Sequence, residues 1–568
     1  MTTPLPQDPL SFVDWKWADI EPHFRDLEAR PLTDALVVDW LTEWRHLAQL
    51  ISEIESRLSV AKDLDTADQP ATQRYQDYCE YIVSPAREAS QRLKEKLIAS
   101  ELEPERFDVY LKTMRTEAAL FREANLPLLV QDDKMDAEYN AIIGAQTVVW
   151  NGAERTIPQM RPIYLDPDRE QRETAWRLCA ARQLADRETL NALWARTLTL
   201  RRQLAANAGK PSYIEFRWDE LARFDYTPDD CFAFHDAIER VIVPAAERIY
   251  EKRRQRLGVE SLRPWDLDVD PLGLDRLRPF TAGDELATTT AELFRRVDPQ
   301  LGDYFDTMRR EGLLDLDNHK GKAPGGYCTE FCASRRPYIF MNSVGLHDDV
   351  QTMLHEGGHA FHNFESYHLP TYLQGDIPIE FCEVASMSME LLAAPYFTRD
   401  QGGFYATETD ANRARVEHLE GMILFLPYMA VVDGFQLWAY RHPDDAMNAA
   451  NCDAAWGALW ERFMRGVEWG GLEAEKVTGW HRKQHIFRYP LYYVEYGLAQ
   501  VGATQVWRNA VQDQAGAVAA YRRALALGGT RPLPDLFAEA GARFAWDVET
   551  LTDNLTLIES TIARLDPA

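Results

Sequence analysis

The stretch Leu354-His355-Glu356-Gly357-Gly358-His359-Ala360-Phe361-His362 lies past the middle of the chain and predicts the helix around which the rest is arranged. Residues four apart lie on one face of a helix, so His355 and His359 can direct their imidazoles at a single point. Gly357 and Gly358 each lower helix propensity by roughly 1 kcal/mol relative to alanine. A pair of glycines inside a helix therefore predicts that another segment packs closely against its backbone.

Two imidazoles one helical turn apart are typical ligands of a zinc ion. Glu356 follows the first histidine directly, which is the position of a base for the water at the open site of the metal. His355, Glu356 and His359 together make the HExxH signature of zinc metallopeptidases. On these five residues alone, an amphipathic helix with two ordinary histidines remains the alternative.

A third ligand is expected downstream of the histidine pair. The metzincin pattern is excluded, because Glu365 stands where its third histidine would be. Pro378 predicts the start of the next helix, on which Glu383 and Glu390 are seven residues apart and share one face. We assign Glu383 to the metal and Glu390 to the hydrogen bond that orients a ligating histidine. Glu380, one turn earlier, is the rival ligand, although a carboxylate at a helix N-terminus is also favoured by the helix dipole.

Composition limits the class of protein. The chain has 568 residues, a formal net charge of -28 and a pI near 4.9, which argues against nucleic acid or an anionic membrane as a partner. Its seven cysteines are scattered without CxxC pairs and predict no disulfide framework, as in a reducing compartment. The first residues show no basic and apolar leader, and no run of 18 apolar residues occurs. We therefore expect a cytoplasmic protein with no membrane partner.

The remaining pattern predicts a mainly α fold. Helices are expected near residues 34–62, 73–100, 105–124, 166–207, 229–256 and 282–312. Asp166 and Pro167 are expected to cap the fourth of these. Residues 146–157 differ, because two β-prone runs flank Asn151-Gly152 and predict a hairpin.

A small β-sheet is expected beside the histidine-bearing helix. The composition of residues 320–327 predicts a flexible glycine-rich loop. The alternating pattern of residues 328–333 and 337–341 predicts two short strands joined by a turn. An edge strand there can bind an extended peptide through backbone hydrogen bonds. The alternative is a hairpin that only covers the helix.

These motifs resemble the thimet oligopeptidase and oligoendopeptidase F family of zinc metallopeptidases, and the oligoendopeptidase F branch more closely. The resemblance rests on residues 355–362, on the EVxSMxME block at 383–390, and on further matches at 321–327, 338–342, 433–438, 485–496 and 528–536. It implies an almost entirely helical, two-lobed zincin-like molecule whose deep channel admits short unfolded peptides. We expect an N-terminal helical lobe at residues 1–190 and a catalytic domain at residues 191–568.

The resemblance also implies residues that face the zinc ion across the cleft. It assigns oxyanion stabilisation to His485 and Tyr496, and we add Tyr489 as a catalytic candidate. Tyr493 is expected to contact substrate, while Tyr492 can equally be a packing residue. Gly325, Gly326 and Tyr327 are expected to bind substrate from the glycine-rich loop.

Three functions compete at this point. The first is a zinc oligoendopeptidase with one zinc ion, acting on short peptides as a monomer or small homo-oligomer. The second is a peptidyl-dipeptidase, which needs a cation for the substrate carboxylate, and Arg488 or Lys322 could supply it. The third is a catalytically silent peptide-binding protein on the same scaffold.

Overall fold

The computed structural model describes residues 4–6, 8–369 and 377–566, and these are mainly helical with two small sheets. The predicted fold class, mainly α with a small sheet beside the histidine-bearing helix, is confirmed. In chain order, the helices and strands are α1 (Trp17–Ala29), α2 (Val37–Leu64), α3 (Gln69–Tyr78), α4 (Ser84–Ala99), α5 (Asp108–Leu120), α6 (Leu126–Gly144), β1 (Thr147–Trp150), β2 (Ala153–Thr156), α7 (Ile157–Met160), α8 (Arg169–Ala185), α9 (Arg187–Asn207), α10 (Tyr213–Glu220), α11 (Pro228–Leu257), α12 (Gly283–Val297), α13 (Pro299–Arg310), β3 (Leu314–Asp317), β4 (Tyr327–Phe331), β5 (Arg336–Ser343), α14 (His347–Ser366), α15 (Ile379–Ala393), α16 (Glu408–Arg441), α17 (Pro443–Ala446), α18 (Ala449–Phe463), α19 (Glu473–Val477), α20 (Gln484–Arg488), α21 (Val494–Gln512), α22 (Gln514–Leu525), α23 (Leu533–Glu539) and α24 (Val548–Leu565).

The chain forms two compact units, each assembled from three separate segments. Unit 1 contains residues 1–118, 277–415 and 502–544, and unit 2 contains residues 119–276, 416–501 and 545–568. The division predicted at residue 190 falls inside α9 and does not coincide with a change of unit, because both units are discontinuous in sequence. The histidine-bearing helix α14 and the next helix, α15, both belong to unit 1.

Helix α14 packs directly against α15, and the glycine pair explains how closely. A Cβ atom on Gly358 would lie 2.5 Å from the Cα of Ser386 and 2.7 Å from the carbonyl oxygen of Ala385, both in the backbone of α15. A Cβ atom on Gly357 would lie 2.4 Å from the ring of Phe294 on α12. The predicted close packing against this pair is confirmed, since no side chain fits at either position.

The sheet in unit 1 has the strand order β3-β5-β4. Strands β4 and β5 form the antiparallel hairpin that the sequence predicted, and β4 is an edge strand. Strand β3, which pairs in parallel with β5, was not predicted, because its four residues are too few for a clear alternating pattern.

The glycine-rich loop at residues 320–327 was expected to be flexible, and hydrogen bonds connect it to neighbouring segments. The backbone N–H of Ala323 donates to the carbonyl of Asp63 at 2.7 Å, and Thr66 donates to the carbonyl of Gly321. The side chain of Asn342 donates to the carbonyl oxygens of Ala323 and Gly325. Flexibility of the loop stays a prediction, and composition alone does not reveal these contacts with α2 and β5.

In unit 2 the predicted hairpin is confirmed. Strands β1 and β2 pair with Trp150 opposite Ala153, and both turn residues, Asn151 and Gly152, have positive φ angles of 51° and 79°. Such angles are typical of the tight turn that joins two antiparallel strands.

Several predicted helices are shorter than expected. A π-helical turn at Cys79–Val83 separates α3 from α4, and a break at Asp186 separates α8 from α9. Asp298 caps α13 and is followed by Pro299, so the helix predicted at residues 282–312 divides there. Helix α8 is capped by Asp168 rather than by Asp166, because the Asp168 carboxylate accepts from the N–H groups of residues 170 and 171.

Helix α16 has the length and apolar character of a membrane span. Its most apolar 18-residue window has a mean hydropathy of 1.4, but 78% of that window is buried inside the protein. Burial of this kind is typical of a core helix, so α16 is weak evidence for a membrane segment.

Candidate active site

Helix α14 brings the two predicted histidines to one face. The ring centroids of His355 and His359 lie 4.9 Å apart, and both side chains remain partly exposed. The opposite face of α14 is buried, including Val350, Leu354 and Phe361. Packing on one side and two accessible imidazoles on the other are what a helix at a metal centre requires.

Glu383 on α15 completes a set of three possible metal ligands. Its Oε2 atom lies 3.3 Å from Nε2 of His355 and 4.0 Å from Nε2 of His359. Zinc ligands at about 2.0–2.2 Å in tetrahedral geometry are about 3.4 Å from one another. All three ligand atoms lie within 4.8 Å of one another, so this donor set fits a zinc ion.

The predicted role of Glu390 has a clear geometric basis. Its Oε1 atom lies 2.8 Å from Nδ1 of His355, so Nδ1–H donates to Glu390 and Nε2, on the other side of the ring, faces the other two ligand residues. Burial disfavours protonation of His355, but hydrogen bonds with Glu383 and Glu390 outweigh burial and hold its pKa well above the usual value. The carboxylates therefore attract positive charge to this point, whether a proton or a metal ion.

The other two ligand residues are held in the forms that bind metal. Burial, together with the charge of His355, lowers the pKa of His359 to about 4, so its imidazole is neutral at neutral pH. Burial alone would raise the pKa of Glu383, but a hydrogen bond with His355 and the charges of both histidines lower it. The hydroxyl of Ser386 donates to Oε2 of Glu383 at 3.2 Å. Ser386 was not among the predicted site residues, although its position three residues after Glu383 was a usable signal.

Glu356 lies where a general base is expected. Its side chain is buried, and the backbone of Cys328 on β4 lies beside its carboxylate. Burial raises the pKa of Glu356 to about 7, against the opposing charge of His355. A carboxylate with this pKa can both accept and return a proton near neutral pH. The contact with Cys328 was missed, because a backbone group leaves no mark in the sequence.

The rival ligand Glu380 is buried at the start of α15, one turn before Glu383. It does not belong to the ligand group of His355, His359 and Glu383 that the described part of the chain contains. The structure thus brings together the ligand set that we assigned from the sequence.

The candidates in the glycine-rich loop have structural contacts of their own. Gly325 has a positive φ of 103°, which a side chain would strain, and a Cβ atom on Gly326 would lie 3.4 Å from the carbonyl oxygen of Phe340. The hydroxyl of Tyr327 donates to Oδ2 of Asp63 at 3.0 Å. Their role as substrate contacts stays a prediction.

The remaining candidates belong to unit 2. His485 lies in α20, and its ring is 6.0 Å from that of Tyr496 and 5.8 Å from that of Tyr489. Burial, with the charges of nearby cations, lowers the pKa of His485 to about 3, so the imidazole is neutral and keeps one N–H donor. Tyr493 is buried and its hydroxyl accepts a hydrogen bond from Lys483 at 2.7 Å. The catalytic and substrate roles assigned to these residues stay predictions.

The two cations considered for a substrate carboxylate differ in their surroundings. Lys322 is buried and donates to the Asp315 carboxylate and to the carbonyl oxygen of Asp317. Arg488 is partly exposed, donates to Gln484 and lies 5.0 Å from the centre of the Tyr489 ring. Lys322 is therefore committed to the protein, which makes it a poor ligand for substrate.

The family model described as Peptidase family M3 matches residues 164–552. Oligopeptidase PepF of Bacillus subtilis (strain 168) is 32% identical over 160 residues, which are 27% of this chain and 22% of that protein. The matches to this and two further curated relatives span only 22–29% of the relatives' length.

Solved structures match over almost the whole chain. An X-ray structure assigned as an oligoendopeptidase F has a TM-score of 0.87 at 27% identity and covers 97% of each chain. A structure of PZ peptidase A with an inhibitor has a TM-score of 0.87 at 25% identity and covers 99% of each chain. The fold of the chain is thus that of these peptidase structures.

Proposed function

This chain belongs to peptidase family M3, and from that membership and its site we propose that it is a zinc-dependent oligoendopeptidase of short, unfolded peptides. The observation that carries the proposal is the convergence of His355, His359 and Glu383 beside the buried carboxylate of Glu356. The resident metal that suits two imidazoles and one carboxylate is zinc.

The bound metal ion would polarise the scissile carbonyl and acidify the attacking water. Glu356 would accept the proton of that water and later deliver it to the departing amine. Glu390 would hold the His355 ring in its ligating orientation through Nδ1. Stabilisation of the oxyanion by His485 and Tyr496, which the family resemblance implies, stays a prediction for two residues of unit 2.

Strand β4 would bind the substrate backbone. It is the edge of its sheet, and Cys328 lies opposite Ile339, whose N–H donates to Leu313 on the other side of β5, so the backbone groups of Cys328 face outward. In an antiparallel pair, alternate residues direct their backbone groups outward, so the carbonyl of Cys328 and the N–H of Glu330 are available to an extended peptide. Such binding selects backbone shape and tolerates many side chains.

The test is hydrolysis of a fluorogenic peptide blocked at both ends. The zinc-loaded enzyme should cleave it internally, whereas a peptidyl-dipeptidase, which needs a free carboxylate, should not. Glu356→Gln should keep one zinc ion per chain and lose at least about a hundredfold in kcat. Glu365→Gln, on the same helix but bonded to Arg522, is the matched control and should stay active.

Two results would contradict the proposal. Zinc binding without hydrolysis of any peptide would favour the silent binding protein, and substantial hydrolysis by folded, zinc-loaded Glu356→Gln would remove Glu356 from the proton transfer.

We further propose a cytoplasmic location, a monomer or small homo-oligomer, and no nucleic-acid or membrane partner. The seven free cysteines and the net charge of -28 support this proposal.

A further inference from the structure

Helix α2 lies outside the residues matched by the family model, yet it contacts strand β4 beside the metal ligands. The helix and the strand both belong to unit 1. Helix α2 has no role in the proposed mechanism. Its polar residues nevertheless meet the chain on both sides of β4, at the turn that follows the strand and at the loop that precedes it.

The turn after β4 is held by Glu53, whose side chain is completely buried. Its two carboxylate oxygens accept hydrogen bonds from the backbone N–H and the hydroxyl of Ser334, both at 2.6 Å. Arg57, one helical turn later, donates to the same carboxylate at 2.9 Å. A buried carboxylate is costly unless it is fully paired, so this geometry is tightly specified.

Two further contacts secure the same end of the strand. The side chain of Gln49 donates to the carbonyl oxygen of Cys332 at 3.3 Å. The guanidinium of Arg57 lies 3.9 Å above the ring of Phe331, the last residue of β4. Helix α2 therefore contacts both the backbone and a side chain at this end of β4.

The beginning of β4 is held by the C-terminal end of α2. Asp63 accepts the Tyr327 hydroxyl with its side chain at 3.0 Å and the N–H of Ala323 with its carbonyl at 2.7 Å. Glu53 and Asp63 are ten residues apart, about 15 Å along a helix. The four residue steps of β4 extend about 13 Å, so the two anchors match the length of the strand.

Between the two anchors lies Cys328, whose backbone groups face away from β5 on the peptide-binding edge. Loss of an anchor would therefore displace the peptide-binding edge. We propose that α2 positions β4 for peptide binding and that Glu53 is the positioning residue on which this depends. The inference rests on the proposed function of β4 as the substrate-binding strand.

The test compares a long and a short substrate, both blocked at their ends. The long peptide extends along β4 on both sides of the scissile bond, and the short one carries only the residues next to that bond. Glu53→Ala should raise KM for the long peptide about tenfold or more, with kcat and zinc content within about threefold of wild type. The short peptide should be affected by less than about threefold, because it has few contacts along the strand.

Conservative and control variants separate positioning from general stability. Glu53→Gln keeps one acceptor for the N–H of Ser334 and should restore most of the affinity for the long peptide. Ser334→Ala removes the hydroxyl that donates to Glu53 and accepts from Arg57 but keeps the backbone N–H, and should raise KM for the long peptide by a few-fold. Glu43→Gln, an exposed carboxylate on the same helix that pairs with Arg30, should behave as wild type.

Equal losses for long and short peptides, or no loss in a folded Glu53→Ala variant, would overturn the inference. If Glu53→Ala does not fold, Ser334→Ala decides the question by the same comparison of substrates. Hydrolysis of the long peptide by the wild type is measured alongside. Failure of the wild type would refute the proposed function, whereas failure of the variants alone would refute only the role of Glu53.

Discussion

Gly358→Ala is the most direct test of how the metal centre is built. The added Cβ would lie 2.5 Å from the Cα of Ser386 and 2.7 Å from the carbonyl oxygen of Ala385. Both atoms belong to the backbone of α15 and cannot rotate away as a flexible side chain would. They lie between Glu383, the carboxylate ligand, and Glu390, the partner of His355.

The magnitude follows from these distances. Van der Waals contact requires about 3.5 Å or more, so α15 must retreat by about 1 Å at this point. Metal–ligand distances tolerate only about 0.2 Å, so zinc affinity should fall at least tenfold. Overpacking should cost about 1–3 kcal/mol of stability, partly offset by about 1 kcal/mol gained in helix propensity.

The assay is competition for zinc against a chelator of known affinity, combined with thermal unfolding of the metal-free protein. Gly421→Ala is the matched control, because Gly421 is exposed in helix α16 and its Cβ would meet no atom within 4 Å. The control should keep wild-type zinc affinity and be no less stable. Equal zinc affinity in the two variants would refute the argument that the glycine sets the spacing of the ligands.

Three other predictions concern the site and the fold. Glu390→Gln should weaken zinc binding about 10- to 100-fold by loosening the His355 ring; unchanged affinity by chelator competition would contradict this role. Glu383→Gln should lower zinc affinity far more than Glu380→Gln, and the reverse order would assign the third ligand to Glu380. His481 is buried, and burial lowers its pKa to about 3, whereas a histidine in the unfolded chain has a pKa near 6.5. Between these two pH values the unfolded chain therefore binds more protons than the folded chain. As a result, the free energy of unfolding falls as the pH falls below 6.5. His481→Gln should therefore show a flatter decline in the free energy of unfolding between pH 6.5 and 4.5, by up to about 2–3 kcal/mol, in urea titrations; parallel declines would exclude this histidine as the cause.

Much of the site was predictable because helical periodicity is local. The spacing of His355 and His359, and of Glu383 and Glu390, places each pair on one face wherever the helix forms. The breaks at Asp186 and Asp298 show the limit of the same argument. Helical composition continues across both, and Asp298-Pro299 was the one local signal that could have been used.

Contacts between distant segments were not predictable in this way. In the sequence, Glu53 is one more acidic residue on an amphipathic helix. Only the fold places its Oε2 atom 2.6 Å from the backbone nitrogen of Ser334, which lies far along the chain. The anchored glycine-rich loop and strand β3 belong to the same class. Their partners are backbone groups, which every residue carries and which no residue type identifies.

By itself, the sequence determined that two imidazoles and a carboxylate pair would each line one face of a helix, because that depends on 3.6 residues per turn. The tertiary structure decided that the two helices approach closely enough for Oε2 of Glu383 to lie 3.3 Å from Nε2 of His355. That distance depends on the absence of a side chain at Gly358, on the backbone of α15 opposite it, and on the packing of both helices in one unit. Such spacing arises from packing between segments, and a local pattern carries no information about it.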